Sequence, residues 1–329
     1  MSAPTAIELQ SEGGIVGLEP LSGDRWRISV RPKPGLQVRA NRWVSHYPLG
    51  LIQEIQATKG LYVCDEIMRE EDPRYVEHYL RHEMLSYLPP EAFRGKRILD
   101  FGCGSGASSV VLSRILPECE IVGVELAERL LRIAQLRAQH FGLERVRFLR
   151  SPSGDALPEG LGEFDFVLFS AVFEHLLPLE RRALLPLVWN RLRPGGILFL
   201  NQTPYRYSPV EVHTTGGMPL INYLPDGMTL KIVRRFSRVY AGRVTWEQLL
   251  RDGIRGGTVS EILAILRQHG RPVLLEPRPE VGDRIDLWFG GLSARHGGLK
   301  RAIRTGLKLL QLTSGKVITP SLALAIRRE

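Results

Sequence analysis

LDFGCGSGAS, from Leu99 to Ser108, decides how this sequence folds. A strand-like apolar run, Arg97 to Phe101, meets three glycines, Gly102, Gly104 and Gly106, and a helix-like stretch follows. Glycines there remove side chains where the backbone must turn tightly and come close to a ligand. Gly102-x-Gly104-x-x-Ala107 also satisfies the dinucleotide fingerprint, in which a helix N-terminus holds a pyrophosphate. Asp100 discriminates, because an acid beside the loop repels a pyrophosphate and attracts an ammonium group, such as that of a methionine moiety. A plain turn packing a helix on a strand accounts for one or two glycines, but poorly for three plus the acid.

Further along, short apolar runs alternate with amphipathic stretches: Ile121 to Glu125, Val146 to Leu149, Phe164 to Phe169 and Ile197 to Asn201. Between two of them Leu130, Ala134, Ala138 and Phe141 make one helical stripe, stopped by Gly142. Such alternation predicts an α/β chain with a doubly wound parallel sheet and ligands at the carboxyl ends of its strands. Glu125 ends the second run, 19 residues after Gly106, where an acid can accept both hydroxyls of a ribose. Capping the next helix or pairing with Arg129 is its structural alternative. Asp155 in SPSGDALP is within reach of an adenine amino group, with the Ala156 N–H available to a ring nitrogen; a turn aspartate is the alternative there.

These residues resemble the class I S-adenosylmethionine-dependent methyltransferases. ILDFGCGSG, VGVE, GDALP, FDFVLFSAVFEHL (Phe164 to Leu176) and LRPGGILFL (Leu192 to Leu200) occur in that family's order and spacing, covering about a third of the chain. The resemblance implies a seven-stranded Rossmann-like sheet of order 3-2-1-4-5-7-6 with strand 7 antiparallel, flanked here by N-terminal and C-terminal extensions. It implies S-adenosyl-L-methionine as cofactor, with Asp100, Gly102, Cys103, Gly104 and Gly106 at the methionine end, Glu125 on the ribose, and Asp155 and Ala156 on the adenine. Phe173, Glu174 and His175 would line the boundary between cofactor and acceptor. One departure is Pro186, expected to kink the helix before LRPGG.

Length sets a prior of about two domains for 329 residues. The composition divides into a β-containing extension over 1–70, the cofactor-binding core over 71–204, an acceptor-binding helical insertion over 205–270, and terminal strands with a basic helix over 271–329. In the first of these Asp24 to Arg31, DRWRISVR, alternates with the strand period, and a helix is expected from Asp72-Pro73 to Leu88. Thr245 with Gln248 and Thr258 with Glu261 read as helix starts. Strand-like Pro272 to Glu276 precedes DRIDLWF (Asp283 to Phe289), and SLALAIR (Ser321 to Arg327) is another strand candidate; two of these late segments would supply strands 6 and 7.

Three cysteines, Cys64, Cys103 and Cys119, have no metal-ligand spacing, and no metal is expected. The opening MSAPTAIELQ lacks a cationic and apolar leader, so a cytoplasmic location is expected. Of the net charge of +9, most lies from Leu287 onward, where eight Lys or Arg (Arg295, Lys300, Arg301, Arg304, Lys308, Lys316, Arg327, Arg328) face one acid, Glu329. Leu299, Ile303, Leu307 and Leu310 share the other face of that helix, which suits either a surface helix packed on the domain or peripheral contact with an anionic membrane.

A sulfonium methyl is already electrophilic, so the protein must align the acceptor atom about 3 to 3.5 Å behind it and exclude water. A hydroxyl acceptor also needs a base, and His175 and His213 are the candidates. Tyr205, Tyr207 and Tyr223 suit an aromatic wall for an acceptor ring or sugar, or simple core packing. A small-molecule, glycan or lipid-linked acceptor is expected. An RNA methyltransferase is the first alternative, disfavoured because the fourth strand ends SAVFEHL and the bases crowd one tail; a non-catalytic cofactor-binding module is the second.

Overall fold

A computed structural model of the chain describes residues 5–237, 239–240, 242–291 and 297–329. Arg295, one of the tail cations, lies outside them. The chain divides into two compact units, Met1–Leu80 with Cys103–Arg150, and Arg81–Gly102 with Ser151–Glu329.

The first unit opens with an antiparallel meander of β1 (Ile7–Ser11), β2 (Gly14–Leu21), β3 (Arg25–Pro32) and β4 (Arg42–Ser45). DRWRISVR forms β3, and its period of two turns Trp26, Ile28 and Val30 inward. Two unexpected helices follow, α1 (Leu49–Lys59) and α2 (Val63–Glu71). Leu51, Ile52 and Ile55 of the first, with Val63, Cys64 and Ile67 of the second, join one core with the meander. Helix α3 (Val76–Leu85) is shorter than the expected 72–88 span at both ends, since Asp72 keeps an extended backbone and a turn intervenes. After β5 (Arg97–Phe101) come α4 (Ala107–Ile115), β6 (Glu120–Glu125), α5 (Glu128–His140) and β7 (Val146–Arg150). Gly142, at φ 60°, stops α5 as its sequence position predicts.

The second unit continues with β8 (Phe164–Ser170), α6 (Pro178–Trp189) and β9 (Leu192–Pro204). Helix α6 carries on through the buried Pro186 to Trp189. A short hairpin of β10 (Val210–Glu211) and β11 (Met218–Pro219) precedes α7 (Asp226–Phe236), α8 (Trp246–Arg251) and α9 (Val259–Arg267). Thr245 and Thr258 cap α8 and α9 by accepting the backbone N–H three residues on. Then come β12 (Pro272–Leu274), α10 (Arg284–Gly290), α11 (Gly297–Ser314) and β13 (Ser321–Arg328). DRIDLWF is the helix α10, because Asp283 accepts from the Ile285 and Asp286 N–H groups and Asp286 returns the bond.

The large sheet has the order β12-β13-β9-β8-β5-β6-β7. Strands β5, β8 and β9 run parallel, β13 is antiparallel to β9, and β12 antiparallel to β13. That is the 3-2-1-4-5-7-6 order with strand 7 reversed, with SLALAIR as strand 7 and the segment from Pro272 as strand 6.

Burial pushes the Glu83 carboxyl of α3 up to about 8, and its Oε2 has no hydrogen-bond partner. Its pKa in the folded state lies above the unfolded value, so at low pH Glu83 is neutral in both states. Above the ordinary carboxylate range only the unfolded chain ionises it, and stability is lost at about 1.4 kcal/mol per pH unit until the folded state ionises too. Glu83→Gln should therefore match the wild type near pH 4 and exceed it increasingly towards pH 8, as read by urea denaturation across that range.

Candidate active site

The glycines of the loop have different reasons to be there. Gly106, at φ 81°, starts α4, and a Cβ on it would come within 2.6 Å of the Ala134 Cβ on α5, so it permits close helix packing. Gly104, at φ 55°, has nothing within 4 Å of a Cβ position; its missing side chain leaves open space. Glu125, at the end of β6, closes the loop from the same unit. One carboxylate oxygen accepts the Gly104 N–H at 3.0 Å, and the other accepts those of Leu126 and Ala127 at 2.8 Å each. Those N–H groups precede α5, whose start has no side-chain cap, so Glu125 does not cap that helix; it stands as an acid fixed beside the glycine turn. Cys103 is buried, its N–H bonded to the Val124 carbonyl at 3.1 Å.

In the second unit Asp100 is the penultimate residue of β5, almost without exposure, and Gly102 stands just past the strand against Val172, whose Cγ2 would lie 2.7 Å from a Cβ. Asp155 is exposed on its loop and accepts from the Ser153 hydroxyl at 2.6 Å; Ala156 beside it is half-buried. Phe173 is fully buried, with the Arg181 guanidinium 4.5 Å over its ring and Gly257 close on its edge.

The two histidines, 38 residues apart in sequence, come together. Their rings lie 5.6 Å apart, and both face Glu174. His175 Nδ1 is 2.6 Å from the Arg251 carbonyl, which can only accept, so Nδ1 carries the proton and Nε2 is turned to Glu174 Oε1 at 3.7 Å. Glu174 has no exposure; Thr203 donates to its Oε2 at 2.9 Å, while Oε1 has no hydrogen-bond partner. Burial raises the Glu174 carboxyl above its ordinary range, and the nearby His175 opposes the shift. Donor atoms of Glu174, His175 and His213 all lie within 4.8 Å of one another, a spacing that ligands of one cation can have.

Several contributors were not singled out from the sequence. Glu211 is buried and accepts N–H bonds from His213, Thr214 and Thr215, which folds HTTGG into the loop that presents the exposed His213. Gly253, at φ 92°, leaves room for the His213 ring, 2.8 Å from where its Cβ would stand. Asn201, at the carboxyl end of β9, is buried with neither side-chain polar atom bonded. Ala171 and Gln202, on either side of the β8 and β9 tips, hold left-handed backbones at φ 53° and 61°, strain of a kind that gathers at functional sites. A buried acid in a Gly-Thr-rich loop was the one available signal for Glu211; nothing in the spacing pointed to Gly253. Tyr205, Tyr207 and Tyr223 form a chain of rings 6.1 and 6.2 Å apart.

Residues 98–196 match the family described as a methyltransferase domain. The ubiquinone biosynthesis O-methyltransferase of Dinoroseobacter shibae is 35% identical over 141 residues, which cover 42% of this chain and 53% of that protein. That of Cereibacter sphaeroides strain ATCC 17029 is 33% identical over 191 residues, covering 57% and 69%. The chain spans about half the length of the first curated relatives it matches. Among solved structures PKMT2 from Rickettsia typhi is 15% identical with a TM-score of 0.46, covering 77% of this chain and 52% of that one, a likeness too loose to argue from. The chain belongs to the class I S-adenosylmethionine-dependent methyltransferases, the family that its sheet order and glycine loop define. Open space at Gly104 and the fixed Glu125 carboxylate suit that cofactor.

Gly104→Val places a branched side chain in the open space and strains a left-handed backbone. Titration calorimetry with S-adenosylhomocysteine should show affinity reduced at least tenfold in a variant that keeps the wild-type circular dichroism.

Proposed function

We propose that the chain methylates a hydroxyl of a small-molecule acceptor, with His213 and His175 taking the hydroxyl proton and Glu174 holding the resulting imidazolium. The observation that supports this most is the meeting of both histidines at one buried carboxylate. When bound, S-adenosylmethionine supplies an electrophilic methyl. The acceptor oxygen forms the new C–O bond as the C–S bond breaks, its electron pair stays on sulfur, and the proton leaves to an imidazole nitrogen. The Arg251 carbonyl keeps the His175 Nε2 lone pair free for that proton, and His213 reaches the same point from its own loop. The relatives' printed name, ubiquinone biosynthesis O-methyltransferase, supports oxygen as the acceptor atom. Tyr205, Tyr207 and Tyr223 offer stacking for an acceptor ring.

A glycan- or lipid-linked acceptor draws support from α11, which has no buried residue and exposes Leu299, Ile303 and Leu310. No helix of the described residues is long and apolar enough to cross a membrane. The basic face is partly engaged within the chain, since Arg304 pairs with Asp286 at 2.6 Å and Lys308 with Asp283 and Asp286 at 2.6 and 2.7 Å. That internal pairing counts further against the RNA reading.

His213→Ala should leave S-adenosylhomocysteine affinity unchanged and lower methyl transfer to a phenolic probe by about 100-fold to 10,000-fold. Full turnover by the variant would overturn the role. A second reading has its own observation, the unpartnered Glu174 Oε1 within reach of two imidazoles. If chelation stops wild-type transfer and added Mg2+ or Mn2+ restores it, the cluster works by holding a cation that lowers the hydroxyl pKa. Indifference to chelator supports the proton relay.

A further inference from the structure

Ser105 stands between Gly104 and Gly106 at the bend of the cofactor loop, yet it is buried and turned towards the N-terminal region of the first unit. Its hydroxyl donates to Glu66 Oε1 of α2 and accepts from Arg137 Nη1 of α5 at 2.7 Å. The Ser105 carbonyl accepts from the same nitrogen at 2.9 Å. Arg137 Nη2 donates to the Glu66 carbonyl at 2.9 Å and lies 3.3 Å from Glu66 Oε1, while Lys59 stands 3.6 Å from Oε2. Every link is local to this unit, and Arg137 has no solvent exposure. One helical turn on, Glu70 does the same for the flanking helix, accepting from the Tyr47 hydroxyl at 2.6 Å and from Arg114 of α4.

We propose that Glu66 is a positioning residue for the cofactor: through Ser105 and Arg137 it fixes the glycine loop in the shape that receives the methionine end of S-adenosylmethionine. Two glycines give this loop a wide choice of backbone conformations, and binding a ligand to a loose loop costs the entropy of ordering it. Glu66 removes that cost in advance. Loss of its carboxylate leaves the Ser105 hydroxyl without an acceptor and the buried guanidinium without its counter-charge, so the loop loses its tether while Glu125 still holds the opposite side at Gly104. Burial alone pushes the Glu66 carboxyl up, but Arg137, Lys59 and Arg69 hold it below its ordinary range, so the tether is charged throughout the neutral region. The N-terminal region therefore belongs to the cofactor site although it supplies no side chain to the family's motifs. The inference rests on the family's cofactor assignment and not on the acceptor.

The test compares two ligands by calorimetry on the full chain. S-adenosylhomocysteine carries the amino-acid end, whereas 5′-methylthioadenosine lacks it and keeps adenine and ribose. Glu66→Ala should weaken S-adenosylhomocysteine at least tenfold and methylthioadenosine less than twofold. Adding Ser105→Ala to that variant should cost less than a further twofold, because both substitutions cut one link. Ser105→Ala alone leaves the Glu66–Arg137 pair intact and should show the same ligand-selective loss, so the inference remains testable if Glu66→Ala fails to fold. Equal weakening of both ligands, or wild-type affinity in both variants, overturns the positioning role. A wild-type protein that binds neither ligand overturns it together with the cofactor assignment.

Discussion

A guanidinium sealed from water must be neutralised, and in this chain that requirement couples the glycine loop to the first unit's core. Arg137 sits between the N-terminal helices and the loop, with Glu66 as counter-ion and Ser105 as its polar partner. Taking two charges out of water costs several kcal/mol per ion, and removing one partner of such a pair typically costs about 3–5 kcal/mol. The network is therefore a poor source of net stability; what it does is tie α2, α5 and the glycine turn together through three mutually bonded groups. The meander β1 to β4 and the helices α1 and α2 bury their apolar faces around it, with Ile133 of α5 in the same core.

The second unit shows a related device with the sign reversed. Glu174 is a sealed carboxylate whose immediate cations are imidazoles, which carry charge only when protonated. A permanent partner such as arginine would quench it, whereas here both partners are imidazoles. Thr203 holds one Glu174 oxygen and the Arg251 carbonyl one His175 nitrogen, which leaves Glu174 Oε1 and His175 Nε2 turned to each other. Glu211 then does for the His213 loop what Glu125 does for the glycine turn, gathering consecutive backbone N–H groups around one carboxylate.

Much of the sheet could be read from the chain because its strands are buried on both faces and so appear as continuous apolar runs punctuated by glycine. The late strands were visible too, as was the αL stop at Gly142. Helices α1 and α2 were not, since glycine and proline on either side dominate the composition, although Leu51, Ile52 and Ile55 carry the helical spacing. DRIDLWF becomes a helix because two aspartates three residues apart cap it, a local signal that outweighs its mixed pattern. At the candidate site the sequence located His175 and His213 separately, but their meeting depends on where α8 and the β10 to β11 hairpin lie, and no periodicity encodes that. The tie from Glu66 to Arg137, 71 residues away, is likewise a property of packing.

The position of β13 also bears on how the protein comes to exist. Strand β9 lies between β8 and β13, with Leu198, Phe199 and Leu200 fully buried, and its partner residue for Leu200 is Leu324, 124 residues later. At about 5–20 residues per second of synthesis, one edge of this apolar-centred strand stays unpaired on the ribosome for roughly 6 to 25 s. An open apolar edge is a template for wrong pairing. The early folding problem of this chain is thus a waiting problem, and a nascent chain of this design depends on whatever shields β9 until its last neighbour emerges.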